Sequence, residues 1–307
     1  MTVEAPVRRA TDRRGELAGS ALAALMGVLF SFVVIFGKGL LEPGKEPFAV
    51  LALRYAATAL GLAALLVATG RPLLPERGER AGVILAGVLG YGTESAFYFA
   101  ALGHGSAAAI TLLFYTYPVI VMVVTIAMDR RIPAGALIVA LALAVGGSAT
   151  VAVGGTGVEV QTAGIVLALC SATAYSSYLM ATDRILKRTD PMTAAMWLAA
   201  GAALSTSTFA WAFGHNVIPR GGDWWKVMGM ALFTIGAFIA MLASLQRVGA
   251  VRNAIIGVIE PVAVALLAWL FLSERITWTT GLGGAMILAA AVLATIVRTT
   301  RVQEPNL

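Results

Sequence analysis

The sequence repeats its pattern of apolar runs, prolines and charged residues after about 144 residues. Pro47 opens a long apolar run and Pro191 opens another 144 positions later, whereas Pro118 interrupts a run whose counterpart is interrupted by Pro261. Each copy holds an odd number of apolar segments of membrane length, so the two copies must insert in opposite orientations. Inverted repeats whose broken segments meet at mid-membrane are typical of secondary transporters. The repeat therefore predicts a transporter.

The apolar segments set the fold class. A bilayer core about 30 Å thick needs about 20 apolar residues per helix. Hydrophobic residues make up 59% of the chain and charged residues 12%, against about 45–50% and about 25% in a soluble domain. We therefore predict an all-α membrane protein, with ten transmembrane helices in two inverted five-helix repeats around a central cavity. The predicted spans are 17–41, 47–69, 80–102, 106–128, 133–153, 162–186, 191–214, 223–246, 250–272 and 277–297.

The basic residues predict the orientation. Sixteen of the 22 Lys and Arg residues fall on one side of the spans and four on the other. Because Lys and Arg accumulate in cytoplasmic loops, both termini are predicted to be cytoplasmic in a bacterial inner (plasma) membrane. The net charge of +6 is spread over short loops, so it does not indicate nucleic-acid binding. The predicted divisions are a polar N-terminus 1–16, a first repeat 17–153, a Gly-rich link 154–161, a second repeat 162–297 and a tail 298–307.

This repeated pattern of spans, prolines and charged residues resembles that of the drug/metabolite transporter superfamily, with two tandem EamA-type domains over nearly the whole chain. The likeness is carried by Arg54 in span two, by Pro118 and Pro261 in spans four and nine, and by the Leu-Ser-Glu-Arg-Ile sequence around Glu274. The first repeat departs from the pattern, because Arg130 stands where the second repeat has Glu274. The resemblance implies a small-molecule carrier. Within the superfamily, the chain resembles bacterial aromatic amino-acid exporters in particular.

Ionisable side chains within spans are the first candidates for a site. Each costs about 2.5–3.5 kcal/mol at a helix centre, so such residues usually face protein or a wet cavity. Glu94 shares a helix face with Tyr91 and Tyr98, at i−3 and i+4. We interpret this face as a contact for a substrate ammonium or as a proton-titrating site. The alternative is a structural hydrogen bond to a neighbouring helix.

A second candidate lies at the break in span nine. Glu260 precedes Pro261, which cannot donate an amide hydrogen and clashes with the carbonyl one turn earlier. Asn253 and Gly257 fall on the same helix face as Glu260. Broken helices of this kind hold the polar groups of transported substrates. The alternative is an architectural role, in which Glu260 satisfies loose backbone groups or pairs with a cation.

Two basic residues are interpreted as anchors. The guanidinium of Arg54 is always charged and needs an acceptor. Because the resemblance places its helix outside the cavity wall, a structural anchor is favoured over a clamp for a substrate carboxylate. Lys38 lies at the end of span one and is expected to extend to the outer interface.

Aromatic and small residues suggest the shape of the interior. A mid-membrane pocket with apolar walls would suit an aromatic or aliphatic amino acid, although such residues can equally serve plain packing. Ridges of small residues in spans five and ten, the latter with Gly281, Ala285 and Ala289, predict close helix packing. The candidate pocket residues, beyond those already named, are Tyr115, Tyr175, Tyr178, Phe238 and Met241.

The leading hypothesis is a monomeric secondary transporter that exports aromatic or neutral amino acids by alternating access. An exporter of drugs or quaternary cations is the alternative, and an intramembrane lipid-modifying enzyme is a remote one, since no nucleophile with a base is visible. The chain has no phosphate-binding G-x-x-x-x-G-K-[ST] loop, so nucleotides are not expected to power it. With one Cys and two His, no metal and no cofactor are expected; the expected partners are a small-molecule substrate and the lipid bilayer.

Overall fold

The computed structural model describes residues 12–41, 47–129, 135–153, 160–185, 188–212 and 223–303. Their regular secondary structure is entirely helical. A π-helical segment, Ala86–Tyr91, joins α3 to α4. The α-helices are α1 (Asp12–Lys38), α2 (Pro47–Ala68), α3 (Arg80–Leu85), α4 (Gly92–Leu102), α5 (Ala107–Phe114), α6 (Tyr117–Asp129), α7 (Gly135–Val153), α8 (Thr162–Ile185), α9 (Pro191–Ala212), α10 (Trp224–Gly257), α11 (Ile259–Leu272) and α12 (Trp278–Gln303).

The helices are long and apolar enough for a multi-pass membrane protein. Large apolar side chains such as Leu60, Leu89 and Leu232 are about two-thirds exposed on the outside of the bundle, as expected where lipid is the solvent. Five continuous helical stretches reach membrane length: Gly15–Lys38, Pro47–Ala68, Arg80–Leu102, Thr162–Thr182 and Trp224–Val248. Shorter apolar stretches are Ala107–Val121, Ile138–Val151, Ile259–Leu272 and Trp278–Leu293. The predicted all-α membrane fold is confirmed.

The predicted spans three, four, eight and nine differ in detail from the helices. Span three is divided by the π-helical segment, and span four breaks at Tyr115 and Thr116, just before Pro118. The predicted connection between spans eight and nine is helical, since α10 continues to Gly257 and the chain breaks only at Val258. Proline explains this position, because the ring of Pro261 clashes with the carbonyl of Gly257 and forces the break there.

The two halves of the chain pack in the same way. Helix α1 packs against α10 and α11, and its counterpart α8 packs against α4 and against α5 and α6. Helix α2 pairs with its own counterpart α9, and α7 pairs with α12. Exchanging the halves therefore reproduces the main contacts, which is the relation expected of inverted repeats about a pseudo-two-fold axis.

The pair α7 and α12 meets through backbone. A Cβ on Gly147 would lie 2.7 Å from the carbonyl oxygen of Gly283, and the reverse substitution meets the oxygen of Gly147 at the same distance. Close backbone approach at small residues drives helix association in lipid, where hydrophobicity does not. The packing face of α12 is thus formed by Gly283, Ile287 and Ala290. The predicted ridge of Gly281, Ala285 and Ala289 is exposed instead.

Two charged side chains hold the connection between α4 and α5. The ammonium of Lys38 donates to the carbonyl of Leu102 and, at 2.6 Å, to that of Gly105. The buried carboxylate of Glu274 accepts from the backbone N–H of Ala107 at 2.8 Å, at the start of α5. Lys38 therefore ties α1 to the next hairpin rather than extending to the interface. Glu274 of the second half caps a helix of the first.

The opposite end of the bundle is joined by a carboxylate as well. Glu79, just before α3, accepts from the backbone N–H groups of Arg188 and Thr189 at 3.0 and 2.9 Å. Asp190 caps α9 by accepting from two N–H groups of its first turn, and it pairs with Arg71 at 3.3 Å. Connections of the two halves are therefore fastened to each other at both ends.

Replacing Glu274 with alanine is expected to lower stability, because the N–H of Ala107 loses its acceptor in a buried position. The cost of a buried unsatisfied donor is about 1–3 kcal/mol. Thermal unfolding of the purified protein in detergent measures it. The matched control is Arg275→Ala, since Arg275 is exposed. An E274A variant as stable as R275A would contradict the capping role.

Candidate functional site

A cavity of about 110 Å³ lies between the halves in the middle of the bundle. Helices α1, α2, α4, α5, α8 and α11 and the π-helical segment all contribute to its wall. The wall is mainly aromatic and aliphatic, and it contains one guanidinium and two carboxyl groups. The lining residues are Phe30, Val33, Val34, Arg54, Tyr91, Glu94, Ser95, Tyr98, Phe99, Phe114, Tyr175 and Glu260.

The carboxylate of Glu94 is held by neutral hydroxyls. Ser95 Oγ donates to Glu94 Oε2 at 2.8 Å. Ser171 Oγ from α8 lies 3.1 Å from the carbonyl oxygen of Glu94 and 3.3 Å from Oε1. The hydroxyl of Tyr55 in turn bonds to Ser95 Oγ. Within the described part of the chain no basic side chain lies within 4.0 Å of Glu94, so the carboxylate can still accept from a cationic ligand.

Glu260 lies at the break between α10 and α11. Its Oε2 accepts from the hydroxyl of Tyr115 at 3.0 Å. The same hydroxyl lies 3.0 Å from the carbonyl oxygen of Gly257, which Pro261 leaves without its helical donor. Tyr115 does not line the cavity itself but stands behind Glu260.

Arg54 is buried in the cavity wall, with its side chain 4% exposed. Its Nε donates to Thr234 Oγ1 of α10 at 3.1 Å, and its Cζ lies 4.7 Å from the centre of the Tyr55 ring. Among the described residues no carboxylate lies within 4.0 Å of the guanidinium. This placement differs from the expected position outside the cavity wall. The π-face of Tyr55 and one hydroxyl keep the charge inside without neutralising it.

All seven tyrosines of the chain belong to one aromatic network around the cavity. Neighbouring ring centres are 4.8 to 5.8 Å apart along the series from Tyr55 to Tyr115. Tyr98 joins through Phe114 at 5.3 Å, and its hydroxyl bonds Thr111 Oγ1 at 2.6 Å. Tyrosine is common in interfacial belts of membrane proteins, yet here every tyrosine lies inside the bundle. The series is Tyr55, Tyr91, Tyr178, Tyr175, Tyr117 and Tyr115.

The structure brings together Glu94, Tyr91, Tyr98, Tyr175 and Glu260, all candidates from the sequence, in one wall. The other candidates stand behind it. Tyr178 packs against Tyr91. The ring centre of Phe238 lies 6.1 Å from those of Phe30 and Tyr91. Met241 packs in a small apolar cluster formed by α1 and α10. Asn253 is buried, and its Oδ1 has no hydrogen-bond partner in the described part of the chain. Pro118 is the second residue of α6 and follows the break in span four.

Six lining residues were not singled out from the sequence. Three of them, Phe30, Val33 and Val34, form the cavity face of α1, and no polar residue among them marks that face. Ser95 follows Glu94 directly, which was the one available signal. Phe99 and Phe114 complete the set. Apolar side chains facing lipid and apolar side chains facing a cavity look alike in sequence.

The π-helical segment positions Tyr91 and Glu94. Gly87 lies against α9 so closely that a Cβ there would come within 2.8 Å of the carbonyl oxygen of Leu198 and 3.1 Å of the Cα of Gly201. Segments of π-helix occur mostly as single turns and often at functional sites. The segment ends at Tyr91, and α4 then presents Glu94 and Tyr98 to the cavity.

In the described ranges no three His, Cys, Asp or Glu side chains are grouped to hold a metal ion. What the cavity offers is one guanidinium and two carboxylates in an aromatic wall. This set can bind a ligand carrying both charges, or a cation.

Comparison with known proteins agrees with the architecture. The EamA-like transporter family matches residues 17–153 and again 162–296. The uncharacterized transporter YcbK of Bacillus subtilis is 30% identical over 277 residues, which cover 85% of this chain and 88% of that one. An uncharacterized transporter of Archaeoglobus fulgidus is 28% identical over 201 residues, covering 65% of this chain and 71% of its own.

The fold is shared with proteins of known structure, among them one described as a crystal structure. It is 22% identical, with a TM-score of 0.62 over 92% of this chain and 98% of its own. The narrower likeness to aromatic amino-acid exporters stays a prediction. Two matched repeats and a relative along most of its length confirm the wider resemblance: the chain is a drug/metabolite-type transporter and belongs to the EamA-like transporter family.

Proposed function

We propose that this protein is a secondary transporter that moves neutral amino acids with apolar or aromatic side chains by alternating access. The observation that carries the proposal is the joint presence of Arg54, Glu94 and Glu260 in one aromatic-walled cavity between the two halves. A zwitterion carries both complementary charges on one carbon. The guanidinium and the carboxylates therefore match the two ends of an amino acid at once.

Each part of the substrate has a partner of suitable chemistry. Arg54 offers the terminal nitrogens of a planar fork, the group best suited to a carboxylate. Glu94 and Glu260 are acceptors for the ammonium, and such charge-assisted hydrogen bonds are about twice as strong as neutral ones. The rings of Tyr98 and Phe114 line the side-chain end. Arg54 and Glu94 are buried, and electrostatic attraction is stronger in such surroundings than in bulk water.

The size of the cavity favours a small substrate. Its volume of about 110 Å³ lies below the range of about 300–1,000 Å³ that is usual for pockets holding drug-sized ligands. A single amino acid is the better match. Aromatic amino acids are the largest members of the proposed class, so the cavity must widen to admit them.

The setting of transport is argued from the basic residues and its direction from the resemblance alone. The excess of Lys and Arg on one side supports cytoplasmic termini in a bacterial inner membrane, and the resemblance to exporters favours outward transport. We take the units that rock against each other to be the repeats 17–153 and 162–297. No lipid-modifying chemistry is retained, since the family and the relatives are transporters.

A quaternary-cation exporter is the second candidate. Two carboxylates stand against one guanidinium in the cavity wall, and aromatic rings surround them. Rings and carboxylates together bind quaternary ammonium groups well. The two hypotheses differ in the role of Arg54, which attracts a zwitterion by its carboxylate and repels a simple cation.

Competition in liposomes separates the two candidates. Radiolabelled phenylalanine or leucine counterflow is measured for the purified protein against unlabelled amino acids, their methyl esters, their N-acetyl derivatives and tetraphenylphosphonium. The proposal expects inhibition by free amino acids only. Esters lack the anionic end and N-acetyl derivatives lack the cationic end. Counterflow of tetraphenylphosphonium without any amino-acid counterflow would instead identify the cation exporter.

Neutralising either carboxylate is expected to weaken amino-acid binding. Loss of a charge-assisted hydrogen bond costs about 1.5–3 kcal/mol, so Glu94→Gln and Glu260→Gln should each raise the dissociation constant at least about tenfold. Equilibrium binding of labelled phenylalanine measures it. Glu16→Gln at the start of α1, far along the helix from Phe30, is the control. Unchanged affinity in both cavity variants would remove the ammonium-binding role.

A further inference from the structure

The helix break between α10 and α11 frees one backbone acceptor inside the bundle. In a continuous helix the carbonyl of Gly257 would accept from the backbone N–H of residue 261, but Pro261 has no such hydrogen. The hydroxyl of Tyr115, which follows α5 in the other half of the chain, lies 3.0 Å from this oxygen. A side chain of the first repeat thus supplies the donor that the second repeat lacks.

The same hydroxyl has a second acceptor. It lies 3.0 Å from Oε2 of Glu260, and a tyrosine hydroxyl carries only one hydrogen. When Glu260 is ionised, its carboxylate is a stronger acceptor than the carbonyl of Gly257, so the Tyr115 hydroxyl donates its hydrogen bond to Glu260. When Glu260 carries a proton, it donates to the oxygen of Tyr115 and leaves the tyrosine hydrogen for Gly257. An ammonium group bound to Glu260 has the same effect as a proton, because it makes the carboxylate a weaker acceptor for the Tyr115 hydroxyl.

We propose that Tyr115 is a positioning residue that couples the charge on Glu260 to the helix break at Val258. With a proton or an ammonium on Glu260, Tyr115 donates to Gly257 and holds the break closed. With Glu260 ionised and empty, the carbonyl of Gly257 loses its donor and the break loosens. The part played by a substrate ammonium rests on the proposed function, whereas the coupling to a proton does not.

Among the described residues, Tyr115 is the hydrogen-bond partner of the Glu260 side chain. Glu94 from α4 interacts with it electrostatically, as do the rings of Tyr98, Tyr117 and Tyr175. Arg54 lies in the same cavity wall but within 4.0 Å of no carboxylate in the described part of the chain. Helix α1 packs against α11 through Gly27, whose Cβ position is 3.1 Å from the backbone nitrogen of Glu260.

The remaining lining residues of α1 are apolar: they are Phe30, Val33 and Val34. A change in the charge of Glu260 therefore acts first on its nearest polar neighbours, which are Glu94, Tyr98, Tyr115, Tyr117 and Tyr175. Of these groups, Tyr115 alone also contacts the broken backbone. A change of charge at Glu260 reaches the break by this contact.

Hydrogen–deuterium exchange of the substrate-free protein tests the coupling without any assumption about substrate. In the wild type, exchange in peptides covering 257–264, corrected for the intrinsic rate, is expected to be about tenfold faster at high pH than at low pH, because ionised Glu260 withdraws the donor from Gly257. Tyr115→Phe should show the fast exchange at both pH values. Glu260→Gln should show the slow exchange at both.

A matched variant separates the hydroxyl from the ring. Tyr117→Phe removes the hydroxyl of the neighbouring ring, for which the structure gives no hydrogen bond among the described residues, and keeps the ring contacts with Tyr115 and Tyr175. It should behave as the wild type. A Tyr115→Phe variant with wild-type exchange at both pH values would overturn the proposal. Equal effects of Y115F and Y117F would overturn it as well.

Transport supplies the second readout. With whichever substrate shows counterflow, Y115F should bind it within about threefold of the wild-type dissociation constant and turn it over about tenfold more slowly, with a flattened pH profile. Loss of affinity at unchanged turnover would overturn the coupling. If amino acids fail to bind the wild type while the exchange results hold, the proposed function falls and the coupling stands.

Discussion

Replacing Arg54 with glutamine is expected to weaken binding of free amino acids strongly and to improve binding of their esters. The guanidinium is the one positive charge in the cavity wall, and within the described chain no carboxylate within 4.0 Å neutralises it. A charge-assisted hydrogen bond to a ligand carboxylate contributes about 1.5–3 kcal/mol, more when bidentate, so affinity should fall by about 10- to 150-fold.

The gain for esters has the opposite cause. Without Arg54, the wall keeps Glu94 and Glu260 and becomes purely acidic, which favours a ligand with a positive charge only. Binding of labelled leucine and of leucine methyl ester to the same preparation measures both changes. Because ester binding requires a folded cavity, it also distinguishes a change of specificity from unfolding.

Two further variants complete the test. Arg54→Lys keeps the charge but loses the planar fork, so it should bind leucine with intermediate affinity. Arg247→Gln is the matched control, since the Arg247 side chain is exposed and, within the described part of the chain, donates to the carbonyl of Ala243 in its own helix, at 2.7 Å. Leucine affinity unchanged in R54Q would show that Arg54 is the structural anchor first expected from the sequence.

Replacing Gly283 with valine is expected to destabilise the protein strongly, whereas the same change at Gly281 in the same helix is tolerated. A Cβ on Gly283 would lie 2.7 Å from the carbonyl oxygen of Gly147 and 3.0 Å from the backbone nitrogen of Val151. Neither atom is the end of a flexible side chain, so α7 and α12 must separate. Overpacking of this kind costs about 1–3 kcal/mol, and more where backbone must move.

Gly281 provides the comparison. Nothing lies within 4 Å of a Cβ at that position, and the residue is exposed on the outer face of α12. Thermal unfolding in detergent should show a clear loss for G283V and little change for G281V. Gly147→Val should repeat the loss from the other side of the contact. Similar unfolding temperatures for G283V and G281V would mean that the two helices do not meet through Gly147 and Gly283.

Some of the site was predictable because it depends on local geometry. Tyr91, Glu94 and Tyr98 were expected on one helix face, and the structure places all three in the cavity wall, since α4 keeps its regular turn after the π-helical segment. Glu260 was expected at a break because proline cannot continue a helix. Both inferences need only one helix and its own sequence.

Other contacts depend on a second helix and could not be predicted in the same way. The apolar face of α1 that lines the cavity has the composition of a lipid-facing surface. On α12, two glycines two positions apart differ completely, because one meets α7 and the other is exposed. The partners of Lys38 and of Tyr115 lie 64 or more residues away along the chain. No local pattern announces such pairs.

The sequence by itself determined that the chain is an all-α membrane protein, that it is built of two repeats and that proline breaks span nine. In a bilayer every backbone polar group must be satisfied within the segment, so apolar length and proline placement dictate where helices run and break. Only the tertiary structure decided which faces meet, which charge enters the cavity and which hydroxyl caps the break. The reason is that lipid and protein interior are equally apolar, so composition does not distinguish a face that packs from one that is solvated by lipid.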